Sequence, residues 1–127
     1  MKLAIIIVTY QAEPFLDGLF TTLKQHTDLT DVEIVVVDNT SADGTVAALQ
    51  RLAQTWPNLH VLVQSRNTGF AEGNNIGLRW ARERGIPYAF LLNQDTEVTP
   101  NWLPPLMSVM ETRPEVGAAQ PLLLLHS

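Results

Sequence analysis

Leu3-Ala4-Ile5-Ile6-Ile7-Val8 is an unbroken apolar run with four β-branched residues in succession, and it gives way at once to Thr9-Tyr10-Gln11. A strand wet on one face would alternate polar and apolar residues. A run with no alternation predicts a strand covered on both faces, the environment of a parallel sheet between helices. It is too short for a signal sequence core or a membrane span. Outward from it, Glu33 to Val37, His60 to Gln64, Tyr88 to Leu92 and Val116 to Ala119 read as further strands.

Longer amphipathic stretches separate these runs. Pro14 to Gln25 places Phe15, Leu16, Leu19, Phe20 and Leu23 at helical spacing, and Asp43 to Thr55 does the same with Val46, Leu49, Leu52 and Ala53. A third helix is expected from about Ala71 to Arg84, with Ile76 and Trp80 inward and Gly85 as its stop. A fourth is expected at Thr99-Pro100, a threonine cap followed by proline in the first helical position. Strands alternating with helices, with no repeat or linker between them, predict one α/β domain built on a mainly parallel sheet.

The chain has 127 residues, 46% of them hydrophobic, which is enough for one buried core and too little for a second domain. A net charge of -5 speaks against nucleic acid as a partner, because no broad basic surface is available to neutralise phosphates. Cysteine is absent, so thiolate metal sites and disulfides are excluded. That composition fits a reducing compartment and suggests the cytoplasm. The apolar stretch Leu122 to Leu125 near the end would ordinarily be covered by more protein, so the chain is expected to be part of a longer one and to self-associate through that run.

Ligands of open parallel sheets bind at the carboxyl ends of the strands. Here those ends carry Thr9-Tyr10-Gln11, Asp38-Asn39-Thr40-Ser41, Arg66-Asn67 and Asn93-Gln94-Asp95-Thr96, which would meet on one rim. Asp38 at a strand tip could accept hydrogen bonds from a ribose or base edge, yet Asp-Asn-Thr-Ser is equally good turn and capping chemistry. Both readings stand on the residues alone. Gly69, Gly73 and Gly77 recur at spacings of four, and a glycine inside a helix costs about 1 kcal/mol against alanine, so a close approach of backbone or ligand is expected there. Tight packing of helix on sheet accounts for Gly77 better than for the adjacent amides Asn74 and Asn75. Asp95 could hold Mg²⁺ or Mn²⁺, which need only one or two protein carboxylates where phosphates supply other ligands. It could as well begin an Asx-turn.

His26, His60 and His126 have no metal-ligand spacing, and Trp56, Trp80 and Trp102 read as core or boundary residues. Arg79, Arg82 and Arg84 read as a solvated helix face near the negative end of the helix dipole. The turn after the first strand lacks the glycines of a dinucleotide-binding or methyltransferase-like Rossmann domain.

Four motifs occur together and in order: Ile5-Ile6-Ile7-Val8-Thr9-Tyr10; Val35-Val36-Val37-Asp38-Asn39 with Ser41-x-Asp43-Gly44-Thr45; Asn67-x-Gly69-Phe70-Ala71-x-Gly73-Asn74-Asn75-x-Gly77; and Leu91-Leu92-Asn93-x-Asp95. As a set they resemble family 2 glycosyltransferases over nearly the whole chain, and their form is similar to the rhamnosyl and related transferases of bacterial surface polysaccharides. The resemblance implies a GT-A fold, incomplete at its C-terminus, whose first half binds a nucleoside diphosphate sugar linked to UDP or dTDP. By that likeness Thr9 and Tyr10 would line the nucleoside pocket, Asp38 would bind the base, and Arg66, Asn67, Asn74 and Asn75 would lie along the nucleoside and diphosphate. Asp95 would contact Mn²⁺ or Mg²⁺. Asn93 stands where many members have aspartate, which removes one charge from the cation site. It could still bind ribose or a metal-bound water. The resemblance further implies inverting transfer to a carbohydrate or lipid-linked acceptor, at the inner face of the membrane or in the cytoplasm. The general base is expected beyond Ser127, so that these residues alone would bind nucleotide without transferring sugar.

Overall fold

A computed structural model describes residues 2–124. His126 and Leu125 of the terminal apolar run lie outside the described residues. Four strands form one sheet: β1 (Leu3–Thr9), β2 (Val32–Asp38), β3 (Leu59–Val63) and β4 (Tyr88–Asn93). All neighbours are parallel, in the order β3-β2-β1-β4. Every residue of β1 is buried, as its unbroken apolar sequence requires, because β1 is internal to the sheet and covered on both faces.

The period of two along a strand divides the core. Leu3, Ile5 and Ile7 of β1 and Val32, Ile34 and Val36 of β2 point toward α1 (Glu13–His26), α2 (Thr45–Ala53) and α4 (Leu103–Thr112). Ala4 and Ile6 point the other way, toward Ala81 of α3 (Phe70–Glu83) and Ile86 beyond it. On the first face α1 contributes Leu16, Leu19, Phe20 and Leu23 at helical spacing. Phe15, expected in that stripe, is 44% exposed, because it sits about 100° around the helix from Leu16.

The third helix differs from expectation in an instructive way. Its sheet-facing residues are Gly73, Asn74, Gly77 and Ala81, while Ile76 and Trp80 are only half-buried flanks. A methyl group at Gly73 would lie 2.9 Å from Cγ1 of Val8, and one at Gly77 would collide with Cγ2 of Ile6. Helix backbone therefore rests directly on β1. Packing accounts for both glycines.

Two further expectations are corrected. Residues 116–119 form no strand: Val116 is the single β-branched residue there, and Gly117-Ala118-Ala119 has little preference for extended pairing. The fourth helix begins at Leu103 instead of Thr99-Pro100, because Asn101 takes a left-handed φ of 60° that interrupts helical backbone. Pro104 and Pro105 stand in the first turn, where N–H groups have no intrahelical partner anyway. Trp56 and Trp102 are buried, packed edge-on against Phe20 and Phe90. His60 pairs with Glu33 at 2.8 Å and lies against the ring of Trp80, a packing role with no ligand.

Candidate functional site

The chain moves from β1 to β2 to β3 in one direction, then crosses back over α3 to place β4 on the far side of β1. Strand order thus reverses at β1, so β1 and β4 meet at the switch point beside which ligands of open parallel sheets bind, with the helices after both strands packed on the same face. Register brings the strand tips level: Thr9 lies beside Asp38, and Val8 beside Asn93. The four polar segments expected at one rim do meet there.

Asp38 is fully buried. Its Oδ1 accepts from the hydroxyls of Thr9 at 2.8 Å and Ser41 at 2.6 Å, and its Oδ2 accepts from the Ser41 N–H at 2.9 Å. Thr9 is buried beneath the rim with its hydroxyl committed to Asp38. The turn-forming role of Asp38 is therefore what the geometry displays. Asn39, 2% exposed, bridges to the next loop: its Nδ2 donates to the Gly69 carbonyl at 3.0 Å and its Oδ1 accepts from the N–H and hydroxyl of Thr68. Asn67 accepts from the Gly69 N–H at 2.9 Å, which shapes the entry to α3, where Gly69 sits at φ 88°.

The loop after β1 is held from both sides. Gln11 has φ 52°, a left-handed backbone costing roughly 1–2 kcal/mol for a non-glycine residue. Its N–H donates to Ser41 Oγ, and its side-chain oxygen accepts from the Ala42 N–H at 2.5 Å and the Asp43 N–H at 3.3 Å. From the other side, Gln94 binds both faces of Tyr10: its Oε1 accepts from the Tyr10 N–H at 2.9 Å and its Nε2 donates to the Tyr10 carbonyl at 3.2 Å. Deeper in, Thr45 Oγ1 accepts from the Ala12 N–H and donates to Asp43. That hydroxyl holds the Asp43 carboxyl below its ordinary value, with help from the N–H groups of Thr45 and Glu13. Arg79, bonded to Glu72 at 2.8 Å, lowers that carboxyl likewise.

Against these engaged groups stand several that are not. Asn74 is 7% exposed, yet its side chain makes no hydrogen bond within the described residues. None of its amide atoms is sealed from solvent, so the amide faces an opening. The Asp95 carboxylate, the Arg66 guanidinium and the Asn93 amide are exposed and without partners among the described residues. Tyr10 is 49% exposed. Asn75 is exposed and bonds Glu72. No group of three metal-ligating side chains occurs among the described residues. A lone carboxylate with a neutral amide two residues before it fits a hard divalent cation held mostly by phosphate oxygens and water, and does not fit a closed protein cage.

Reading single residues missed the braces, Ser41, Asn39, Gln11 and Gln94. Each was visible as a polar residue after a strand, but apart from the local bonds of Ser41 to Asp38 their partners lie 29 or more residues away in sequence. A cavity of about 700 Å³ lies elsewhere, between the outer edge of β4, α4 and residues 117–124, and it reaches the rim only near Asn93 and Thr96. No helix among the described residues is long and apolar enough to cross a membrane.

Known proteins resemble this chain in sequence and fold. The undecaprenyl-phosphate mannosyltransferase of Micrococcus luteus is 30% identical over 113 residues, 88% of this chain and 45% of that protein. The dTDP-rhamnosyl transferase RfbF of Shigella flexneri is 30% identical over 107 residues, 84% of this chain and 33% of its own. The chain thus spans less than half the length of these curated relatives. Among solved structures, residues 1–349 of S. aureus TarS in complex with UDP superpose with a TM-score of 0.75 at 24% identity, over 88% of this chain and 32% of that one. The mannosyltransferase PcManGT of Pyrobaculum calidifontis, solved with GDP-Man and Mn²⁺, gives 0.65 at 25% identity over 76% and 28%. The fold is that of GT-A glycosyltransferases. The model of glycosyl transferase family 2 matches residues 4–122, a span that holds all four strands and the whole polar rim, and the chain belongs to that family.

Proposed function

We propose that this chain supplies the donor-binding part of a glycosyltransferase, holding a nucleoside diphosphate sugar at the rim between β1 and β4 for transfer to an acceptor hydroxyl. The observation that carries the reading is Asn74, only 7% exposed as a residue, whose amide reaches an opening and has no partner among the described residues, beside buried rim groups that are engaged. An amide left to water offers a ligand a donor and an acceptor, each hydrogen bond contributing about 0.5–1.5 kcal/mol net. Family membership and relatives named for nucleotide-linked sugars support the same reading.

Tyr10, Arg66, Asn74 and Asn93 make the direct contacts in this scheme, Tyr10 to the nucleoside and Arg66 to the diphosphate. Asn67 and Asn75 line the α3 side. Thr9 and Asp38 act from beneath by fixing the loop on which the base rests. Asp95, with Asn93, would hold Mn²⁺ or Mg²⁺, which when bound offsets charge on the departing diphosphate. A lipid-linked carrier is the acceptor class suggested by the name of the undecaprenyl-phosphate mannosyltransferase, surface polysaccharide is the one implied by the motif likeness, and the absence of cysteine favours a reducing compartment such as the cytoplasm.

Calorimetry with UDP and dTDP, with Mn²⁺ and with EDTA, tests the site. Asp95→Ala is expected to weaken binding about tenfold or more in Mn²⁺, about 1.4 kcal/mol, and to change nothing in EDTA. Its melting temperature should stay at the wild-type value. Asp38→Ala should weaken binding together with a fall in melting temperature, since it removes three hydrogen bonds that shape the rim. Equal binding by wild type and both variants would refute the assignment.

A further inference from the structure

Gln94 occupies the variable position of the Asn-x-Asp motif, where no chemistry was expected of it. The structure places it in a turn closed by the Thr96 N–H donating to the Asn93 carbonyl at 3.2 Å, directly before Asp95. From that turn it reaches a residue 84 positions away and matches a primary amide against a peptide unit, one acceptor to the Tyr10 N–H and one donor to the Tyr10 carbonyl. Among the described residues the Tyr10 N–H makes no other bond. These two bonds join the loops that follow β1 and β4, the strands on either side of the reversal in strand order. The opposite side of the same loop is already tied to Ser41, Ala42 and Asp43 through Gln11.

We propose that Gln94 is a positioning residue that clasps the Tyr10 backbone, and so couples the Asp95 turn to the nucleoside side of the site. The inference rests on the reading of this rim as a nucleotide site. With the clasp closed, Tyr10 and Asp95 are held at a set separation before ligand arrives, and the ordering cost at binding falls. With it open, the loop after β1 keeps its anchor on the β2 side only. The residue touches no ligand in this scheme and acts through Tyr10.

The experiment uses the full chain, with UDP and dTDP in Mn²⁺ as probes and amide hydrogen exchange at Tyr10 as a readout that needs no nucleotide. In Gln94→Leu, which keeps the bulk and loses both bonds, the Tyr10 amide should exchange faster and Kd should rise about tenfold, the effect of losing one or two hydrogen bonds of ordering. Gln94→Glu keeps the shape but sets a carboxylate oxygen against the Tyr10 carbonyl, so in EDTA at pH 7 its Tyr10 amide should also exchange faster than in wild type, which a loss of shape alone would not produce. Tyr10 exchange at the wild-type rate in either variant, or a Kd of Gln94→Leu within about twofold of wild type, overturns the clasp while leaving the nucleotide site standing. Failure of the wild type to bind either nucleotide overturns both.

Discussion

Asp43 shows how one residue can serve both the helix behind the rim and the loop in front of it. Its carboxylate accepts from the Thr45 N–H at 3.0 Å and from the Thr45 hydroxyl at the start of α2, and more weakly from the Glu13 N–H at the start of α1. These bonds favour the ionised form, so the folded-state value lies below the ordinary 3.8. A depressed carboxylate contributes stability above its unfolded value and loses it as pH falls through the folded one. Asp43→Ala should therefore lower the melting temperature at pH 7, and the difference from wild type should narrow on acidification below about pH 4. Thermal melts of both proteins at pH 7 and pH 3 check this. An equal difference at the two values would mean that packing, and not the charge, is what the substitution removes.

Among the elements, α3 departs furthest from its amphipathic pattern. A helix usually buries large apolar residues, whereas α3 turns its smallest ones to the sheet. The reason is distance: backbone contact with β1 leaves no room for a Cβ at Gly77 above Ile6, a fully buried and stiff β-branched side chain. Gly77→Ala gains about 1 kcal/mol of helix propensity but overpacks this contact by about 1–3 kcal/mol, and it should lower stability in denaturant titrations. The same substitution at Gly85, where φ is 69° and no atom lies within 4 Å of an added Cβ, should act through backbone strain alone. Close seating of α3 also explains how Asn74 comes to be buried on a helix face made of glycine and alanine. The helix is drawn down far enough to cover it.

On the scale of the whole molecule, a ligand that binds only the folded chain raises its stability through mass action. UDP or dTDP at about a hundredfold excess over Kd should add about 2.7 kcal/mol and raise the melting temperature by several degrees, with EDTA removing most of the shift. Absence of any shift with either nucleotide in Mn²⁺ would contradict the donor-site reading. Much of this molecule was legible in the sequence because β1 and β2 announce themselves by continuous apolar, β-branched runs and β4 by a short apolar run, and polar residues follow each at once. Chain order and the period of two then fix which ends share a rim. The Leu103 start of α4 was less legible, because the cap and proline signal at Thr99-Pro100 is strong, whereas the left-handed backbone at exposed Asn101 that delays the helix is only one of several conformations asparagine favours. What the sequence determined by itself was the α/β class, the parallel sheet and the family, since apolar periodicity and motif order are local properties of the chain. Which polar residues are engaged and which remain open, Asp38 held by Thr9 and Ser41 while Asn74 and Asp95 stand free, was decided only by tertiary structure. A hydrogen bond between Gln94 and Tyr10 depends on where strand crossover places two loops 84 residues apart, and no local pattern encodes that distance.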